Sequence, residues 1–206
     1  MPDNAQSFVD KGVCAALIQN WGIFRDQGRW EELRGTFARD GHISVSWFRG
    51  PFDQFVERCR ASYGVGQSWS RHHLFAPTIR LAGDRAVAET AVIIRVRQPF
   101  NGILVDLTSC SRFLDRIERH EGGWLIAERA AIYERDRLDP VEPSPDFAAL
   151  FKAANTAQYP EQYRYMAFRL AHAPGRSLAP LIYRDRGAET ADLCARFCSW
   201  LEGKTP

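Results

Sequence analysis

Three long β segments joined by two short turns restrict the folds open to this chain more than any other feature. Residues 86–98, 103–118 and 124–136 are rich in β-branched and aromatic side chains, and the sequences between them, 99–102 and 120–123, contain the glycines, asparagine and proline typical of turns. Consecutive strands with tight connections pair antiparallel. We therefore predict an antiparallel meander, preceded by an extended segment over residues 68–81.

Helical patterns come before these strands. Apolar residues at three- and four-residue spacing predict a first helix over residues 7–27, whose buried face would carry Phe8, Val13, Leu17, Trp21 and Phe24. Shorter helices are predicted over residues 29–37 and from Pro51 to about residue 63, with a strand over 42–47 between them. Helices followed by strands indicate the α+β class. We predict a cone-shaped barrel of a curved, mostly antiparallel sheet with N-terminal helices and a pocket at its mouth.

The sequence divides into a main domain, a connector and a C-terminal segment. The main domain would span residues 7–137, and a proline-rich connector would follow over residues 138–145. Residues 146–206 then read as a C-terminal helical extension. Because this extension is short and rich in aromatic residues, we expect it to pack on the main domain or on a neighbouring subunit.

Composition excludes several classes of function. The net charge of +2 and the absence of a basic stripe argue against nucleic acid as a partner. The N-terminal sequence has no basic flank before an apolar run, and no run of 18 apolar residues occurs, so we expect no membrane association and a cytoplasmic location. The five cysteines are scattered without the spacing of a zinc site, and no metal site is predicted.

Two adjacent histidines, His72 and His73, stand in the extended segment before the meander. Successive side chains on a strand point to opposite faces, so one of the two can face a pocket while the other faces away. Histidine can accept and return a proton near neutral pH. Asp26 stands at the C-terminal end of the first helix, where the helix dipole disfavours an anion unless a cation or donor compensates. Two ordinary half-buried histidines remain the simplest alternative.

The ordered set of local sequences resembles the nuclear transport factor 2-like superfamily and, within it, the SnoaL-like branch. The resembling segments lie between residues 7 and 137 and are Phe24-Arg25-Asp26-Gln27-Gly28-Arg29-Trp30-Glu31-Glu32-Leu33, Phe37-Ala38-Arg39-Asp40-Gly41, Arg71-His72-His73, Leu81-Ala82-Gly83-Asp84-Arg85-Ala86-Val87-Ala88 and Gly123-Trp124-Leu125-Ile126. The chain is similar to scytalone dehydratase, bile acid 7α-dehydratase and hexachlorocyclohexane dehydrochlorinase. This fold hosts enzymes and non-catalytic subunits alike.

The resemblance implies a catalytic histidine at His72, an aspartate partner at Asp26 and an arginine at Arg129. It implies a cofactor-independent lyase of the dehydratase type, or an isomerase, acting on a small apolar or polycyclic substrate by general-base proton abstraction. The dehydrochlorinase lysine one turn before the aspartate has no counterpart, since Trp21 stands near that place. Arg129 could instead pair with Glu89 or Glu128 on the sheet.

The aromatic residues Trp21, Trp47, Trp69 and Tyr133 could line a pocket for a flat substrate, although such residues are more often plain core. A non-catalytic small-molecule binding module, or an oligomerising subunit like the small subunit of ring-hydroxylating dioxygenases, stays open as the alternative. Apolar residues on both faces of the strand around Ile93 and Ile94 predict a homo-oligomer, a dimer or trimer formed through the outer sheet face.

Overall fold

The computed structural model describes residues 4–65, 69–172 and 177–204. Its helices are α1 (Ala5–Gln27), α2 (Trp30–Arg34), α3 (Phe52–Ser62), α4 (Pro145–Ala153), α5 (Arg164–Ala171) and α6 (Ala188–Leu201). Its strands are β1 (Phe37–Val45), β2 (Phe48–Pro51), β3 (Trp69–Leu74), β4 (Thr78–Ala82), β5 (Arg85–Phe100), β6 (Ile103–His120), β7 (Gly123–Pro140) and β8 (Tyr183–Arg184). The predicted α+β class with N-terminal helices and a C-terminal helix is confirmed.

The described strands form one curved sheet in the order β2-β1-β7-β6-β5-β3, which does not close into a complete barrel. β5, β6 and β7 make the predicted antiparallel meander. The predicted extended segment consists of two strands, because residues 75–77, which end at Pro77, are not strand. β3 pairs with one half of β5, and β4 pairs with the other half. Residue 68, where that segment was predicted to begin, lies outside the described ranges.

Residues 37–41 are strand, whereas the predicted helix ended at residue 37 and the predicted strand began only at residue 42. β1 pairs in parallel with β7, and a register shift separates Phe37 from His42. A Cβ on Gly41 would lie 2.8 Å from the Ala38 carbonyl oxygen, so glycine permits the close turn of the backbone at this irregularity. The pairing partner lies about 90 residues away along the chain, and a local pattern cannot reveal it.

The buried face of α1 differs from the predicted stripe. Phe8 and Val13 are 75% and 45% exposed, whereas Asp10, Cys14 and Ile18 are buried. The carboxylate of Asp10 accepts hydrogen bonds from Trp124 Nε1 at 3.1 Å and from Arg119 Nη2 at 2.6 Å. These tertiary bonds stabilise a buried acid on the helix face that the hydrophobic pattern assigned to solvent.

The C-terminal segment packs on the sheet of its own chain. β7 continues to Pro140, so the predicted connector over residues 138–145 shortens to 141–144. β8 joins the sheet beside β7, and α6 covers the outer sheet face over Val87, Leu114 and Ile132 through the apolar side chains Leu193, Phe197 and Leu201. Because α6 already covers this part of the outer face, the dimer or trimer stays a prediction for the rest of that face.

Candidate active site

The site begins where the end of α1 lies against β3. A Cβ on Gly22 would come within 2.4 Å of the Leu74 side chain and 3.9 Å of the His72 carbonyl oxygen. A larger residue there would have to displace Leu74, so glycine lets β3 approach the helix closely. Gly28, in the left-handed conformation with φ of 70°, then ends α1 two residues after Asp26. The last turn of α1 is thereby held beside the histidine strand.

Asp26 and His72 are joined at two points. The Nδ1 atom of His72 lies 2.7 Å from Asp26 Oδ1, and the backbone N–H of His72 donates to Asp26 Oδ2 at 2.6 Å. Both side chains are largely buried, at 7% exposure for Asp26 and 10% for His72. With both carboxylate oxygens engaged, the imidazole is fixed in orientation, and Nδ1–H is the tautomer that the carboxylate favours.

The protonation states of this pair suit a general base. Burial raises the pKa of the Asp26 carboxyl, but the hydrogen bonds and charge of His72, together with Arg25, outweigh it and hold that pKa below its usual value. Burial is the largest influence on His72 and outweighs the opposing effect of Asp26, so the His72 pKa lies below its ordinary 6.5. The charges of Arg25 and Arg129 act in the same direction as burial. At neutral pH the pair is therefore carboxylate and neutral imidazole.

His72 forms part of the wall of a cavity of about 500 Å³. The four residues predicted to bind substrate, Trp21, Trp47, Trp69 and Tyr133, all line this cavity. Trp21 lies deep and meets the His72 ring edge-on at 5.4 Å between ring centroids, whereas Trp69 is 45% exposed at the rim. A cavity of this size with aromatic walls and a few polar groups is typical of small-molecule sites.

Tyr133, on β7, places a phenol in the same cavity. Its hydroxyl oxygen accepts a hydrogen bond from the Ser46 N–H at 2.9 Å. Burial raises the pKa of Tyr133 above its usual value, so the phenol keeps its proton. Since the oxygen already accepts, the hydroxyl hydrogen is available for donation to a bound molecule.

Arg129 lies behind the cavity wall. It is 0% exposed and donates two hydrogen bonds to Asp115, at 2.6 and 2.7 Å, rather than pairing with Glu89 or Glu128. Its guanidinium lies 4.4 Å from the Trp21 ring centroid and 4.5 Å from that of Phe113, and both rings line the cavity. The structure therefore brings His72 and Asp26 together but separates Arg129 from the cavity by aromatic rings.

Several residues that line the cavity were not predicted from the sequence. Arg25, Arg58 and Arg71 line it from α1, α3 and β3. Met166 and Arg169 line it from α5, although the C-terminal segment gave no sign of a role in the site. Asp136 fixes the start of that helix by accepting hydrogen bonds from the backbone of Tyr165 at 3.1 Å and Met166 at 2.6 Å.

No described helix is long and apolar enough to cross a membrane. Within residues 4–65, 69–172 and 177–204, no group of three or more His, Cys, Asp and Glu side chains is arranged to hold a metal ion.

The fold and the site together define an α+β cavity protein with a histidine–aspartate pair in the cavity wall. The family model for the SnoaL-like domain matches residues 8–130, and the chain belongs to this family.

Similar fungal proteins extend over much of the chain. A PEP2-like protein of Fusarium vanettenii is 28% identical over 157 residues, and pea pathogenicity protein 2 of the same fungus is 27% identical over 154 residues. Each match covers 74% of this chain, which spans only 65% of the length of these two relatives. An uncharacterised protein of Emericella nidulans is 26% identical over 218 residues, covering 98% of this chain and 90% of that protein.

Solved structures share the fold at low sequence identity. A candidate scytalone dehydratase from Novosphingobium aromaticivorans superposes with a TM-score of 0.54 at 16% identity, covering 66% of this chain and 91% of that one. Rv3472 of Mycobacterium tuberculosis, a protein of unknown function, gives a TM-score of 0.51 at 20% identity, covering 85% of this chain and 96% of that one. At these identities the likeness concerns the fold alone.

Proposed function

We propose that the protein is a cofactor-independent lyase or isomerase that removes a proton from carbon beside a carbonyl group of a small planar substrate. One observation carries this proposal: a neutral imidazole, held at Nδ1 by a buried carboxylate, forms part of the wall of a 500 Å³ aromatic cavity. Since Asp26 engages Nδ1, the other ring nitrogen, Nε2, is the atom that accepts the proton. The carboxylate stabilises the imidazolium that results.

The proposed steps conserve atoms and charge. The C–H bonding pair forms an enolate as His72 takes the proton. In an elimination, the oxygen lone pair of the enolate restores the carbonyl, the enolate double-bond pair forms a double bond between the α and β carbons, and the bond to the β hydroxyl breaks. The leaving hydroxyl takes the proton of the His72 imidazolium, directly or through Tyr133, and departs as water, which returns His72 to its neutral form. In an isomerisation, the imidazolium returns the proton to a different carbon. We propose that Tyr133 donates its hydroxyl hydrogen to the enolate oxygen or to the leaving hydroxyl; its position in the cavity wall and the hydrogen bond it accepts from Ser46 support this role.

Arg129 enters this scheme as a positioning residue. Its guanidinium packs on Trp21, whose ring in turn contacts His72, and its charge helps to keep the imidazole neutral. The resemblance to dehydratases placed Arg129 on the substrate. The buried ion pair with Asp115 favours the indirect role.

Deuterium exchange tests the proposal without knowledge of the natural substrate. Aromatic and cyclic ketones are incubated with the protein in D₂O, and the loss of the α-proton signal is followed by proton NMR; β-hydroxy ketones in the same panel report elimination by the absorbance of the conjugated product. We expect exchange that depends on His72. No exchange by the wild type above His72→Ala across the panel would leave the protein as a small-molecule binding module.

A further inference from the structure

The arginines around the cavity indicate the charge of the molecule that it takes. We propose that the substrate is an anion: a planar apolar molecule whose carboxylate is held by Arg25, Arg58 and Arg71 at the rim. This inference rests on the proposed function, because it names the substrate class of the same cavity.

The lining of the cavity has a one-sided charge. Among the described residues that form its wall are four arginines, the three at the rim and Arg169, and no aspartate or glutamate. The carboxylate of the histidine–aspartate pair, Asp26, lies behind His72 and is already hydrogen-bonded to it. A cavity lined by one sign of charge attracts and retains ligands of the opposite sign.

Neutral groups hold two of the rim arginines in place. Arg71 donates to the backbone carbonyls of Asp26 at 3.2 Å and Ser70 at 2.8 Å, and its guanidinium lies 4.8 Å from the Trp69 ring centroid. Arg58 lies 5.0 Å from the ring centroid of Phe48. No carboxylate in the described ranges lies within 4.0 Å of either guanidinium. Their positive charges are thus oriented but not neutralised.

The burial of Arg25 also favours an anionic ligand. Its side chain is 16% exposed, and its guanidinium reaches the Asp26 carboxylate only at 4.0 Å and the Ser70 hydroxyl at 3.4 Å. A largely buried cation without a close anionic partner is costly, because it has lost water without gaining a full ion pair. A ligand carboxylate at this place would provide the missing partner through charge-assisted hydrogen bonds.

Contacts with the histidine–aspartate pair place this anion near the base. Arg71 donates to the backbone carbonyl of Asp26 at 3.2 Å, and the Arg25 guanidinium lies 4.0 Å from the Asp26 carboxylate. Both arginines line the cavity together with His72. A planar body lying against Trp21 and Trp47 can therefore place its acidic group at the rim while its reactive carbon faces His72. This arrangement accounts for the arginines at the rim of the cavity.

Matched ligands test the charge preference directly. Isothermal titration calorimetry is carried out with 2-naphthoate and with 2-naphthamide, which has nearly the same shape but no charge. We expect the wild type to bind the acid about tenfold more tightly than the amide, and added salt to reduce the difference. Equal affinities, tighter binding of the amide, or no binding of naphthoate at millimolar concentration would overturn the inference.

Substitution of the rim arginines tests whether they cause the preference for the acid over the amide. The double variant Arg58→Gln/Arg71→Gln should lose most of the preference for the acid, whereas Arg137→Gln, an exposed arginine of β7 outside the cavity lining, should keep it. Thermal melting verifies that each variant is folded. Should the double variant fail to fold, the salt dependence of the wild type decides, and a preference unaffected by salt contradicts the inference. Preference retained in a folded double variant contradicts it as well.

His72→Ala separates this inference from the proposed function. This variant should lose proton abstraction while still binding naphthoate more tightly than naphthamide, because the three rim arginines are unchanged. A wild type that prefers the acid but abstracts no proton would refute the enzyme and leave an anion-binding module. Proton abstraction without a preference for the acid would refute only the inference.

Discussion

Asp26 and His72 are held together by both oxygens of one carboxylate, with Oδ1 2.7 Å from the imidazole Nδ1 and Oδ2 2.6 Å from the His72 backbone nitrogen. The second contact ties the helix end to the strand itself, so the ring orientation does not depend on the side-chain torsions of His72 alone. The two donors of His72 also stabilise the Asp26 carboxylate at the C-terminal end of α1, where the helix dipole alone would disfavour an anion. The packing of α1 against β3 therefore holds the two residues in contact.

Asp26→Asn should impair proton abstraction while the fold persists. An amide can present its own N–H groups to Nδ1, which allows the wrong imidazole tautomer and removes the charge that stabilises imidazolium. We expect a loss of roughly a hundredfold in rate. The planar probe 5-nitrobenzisoxazole measures this step, because removal of its ring C–H proton breaks the N–O bond and releases an absorbing cyanophenolate. A variant as active as the wild type would show that the carboxylate has no role in the chemistry.

The rate of the probe reaction should follow the ionisation of His72. Only neutral imidazole accepts a proton, so kcat/KM should rise with pH through the His72 pKa and then level off. Because burial lowers that pKa, the midpoint should lie below 6.5. Removing the nearby positive charge in Arg25→Gln should move the midpoint upward, since imidazolium is then less disfavoured. A midpoint above 6.5 in the wild type, or a downward shift in the variant, would contradict this electrostatic account.

The buried ion pair behind the cavity should respond differently to single and double substitution. Arg129 and Asp115 are both fully buried, so Asp115→Asn leaves a guanidinium without a full counter-charge. We expect a loss of about 3 kcal/mol in the free energy of unfolding, measured by urea denaturation. The double variant Asp115→Leu/Arg129→Met should lose less, because no uncompensated charge remains. The single variants Asp115→Leu and Arg129→Met complete the cycle, and a loss in the double variant equal to the sum of their two losses would argue against coupling.

The assembly prediction concerns the outer sheet face beyond α6. Ile93 remains half-buried there, on the strand face opposite the cavity. A dimer or trimer would cover it. Light scattering at micromolar concentration measures the mass, and a monomer would contradict the prediction.

The main elements of the fold could be predicted from local sequence patterns. The long β segments and their turns define β5, β6 and β7. The position of Asp26 at a helix end indicated that it needs a compensating partner, and the resemblance to dehydratases named His72, whose ring contacts Asp26. Non-local pairing limited the rest. β1 begins at Phe37 because it joins β7 in parallel, and the buried face of α1 includes Asp10 because Trp124 and Arg119 reach it.

Arg129 shows how one irregularity changes the interpretation of a site. Counting back from the turn between β6 and β7 would pair Asp115 with Glu128. The register shift between Arg116 and Ile117 moves the pairing by one residue, so Asp115 lies opposite Arg129. Such a bulge also reverses which face a side chain occupies, and the sequence contains no clear marker for it. The contribution of α5 to the cavity was likewise hidden, because only tertiary packing brings Met166 and Arg169 there.

The most direct test compares the adjacent histidines of β3 in the 5-nitrobenzisoxazole reaction. His72 lines the cavity and contacts Asp26, whereas His73 is exposed, so His73→Ala is the matched control for His72→Ala. We expect His72→Ala to lower kcat/KM by at least roughly a hundredfold and His73→Ala to leave it nearly unchanged, with both variants melting cooperatively. Equal rates for the wild type and His72→Ala would contradict the assignment of His72 as the general base.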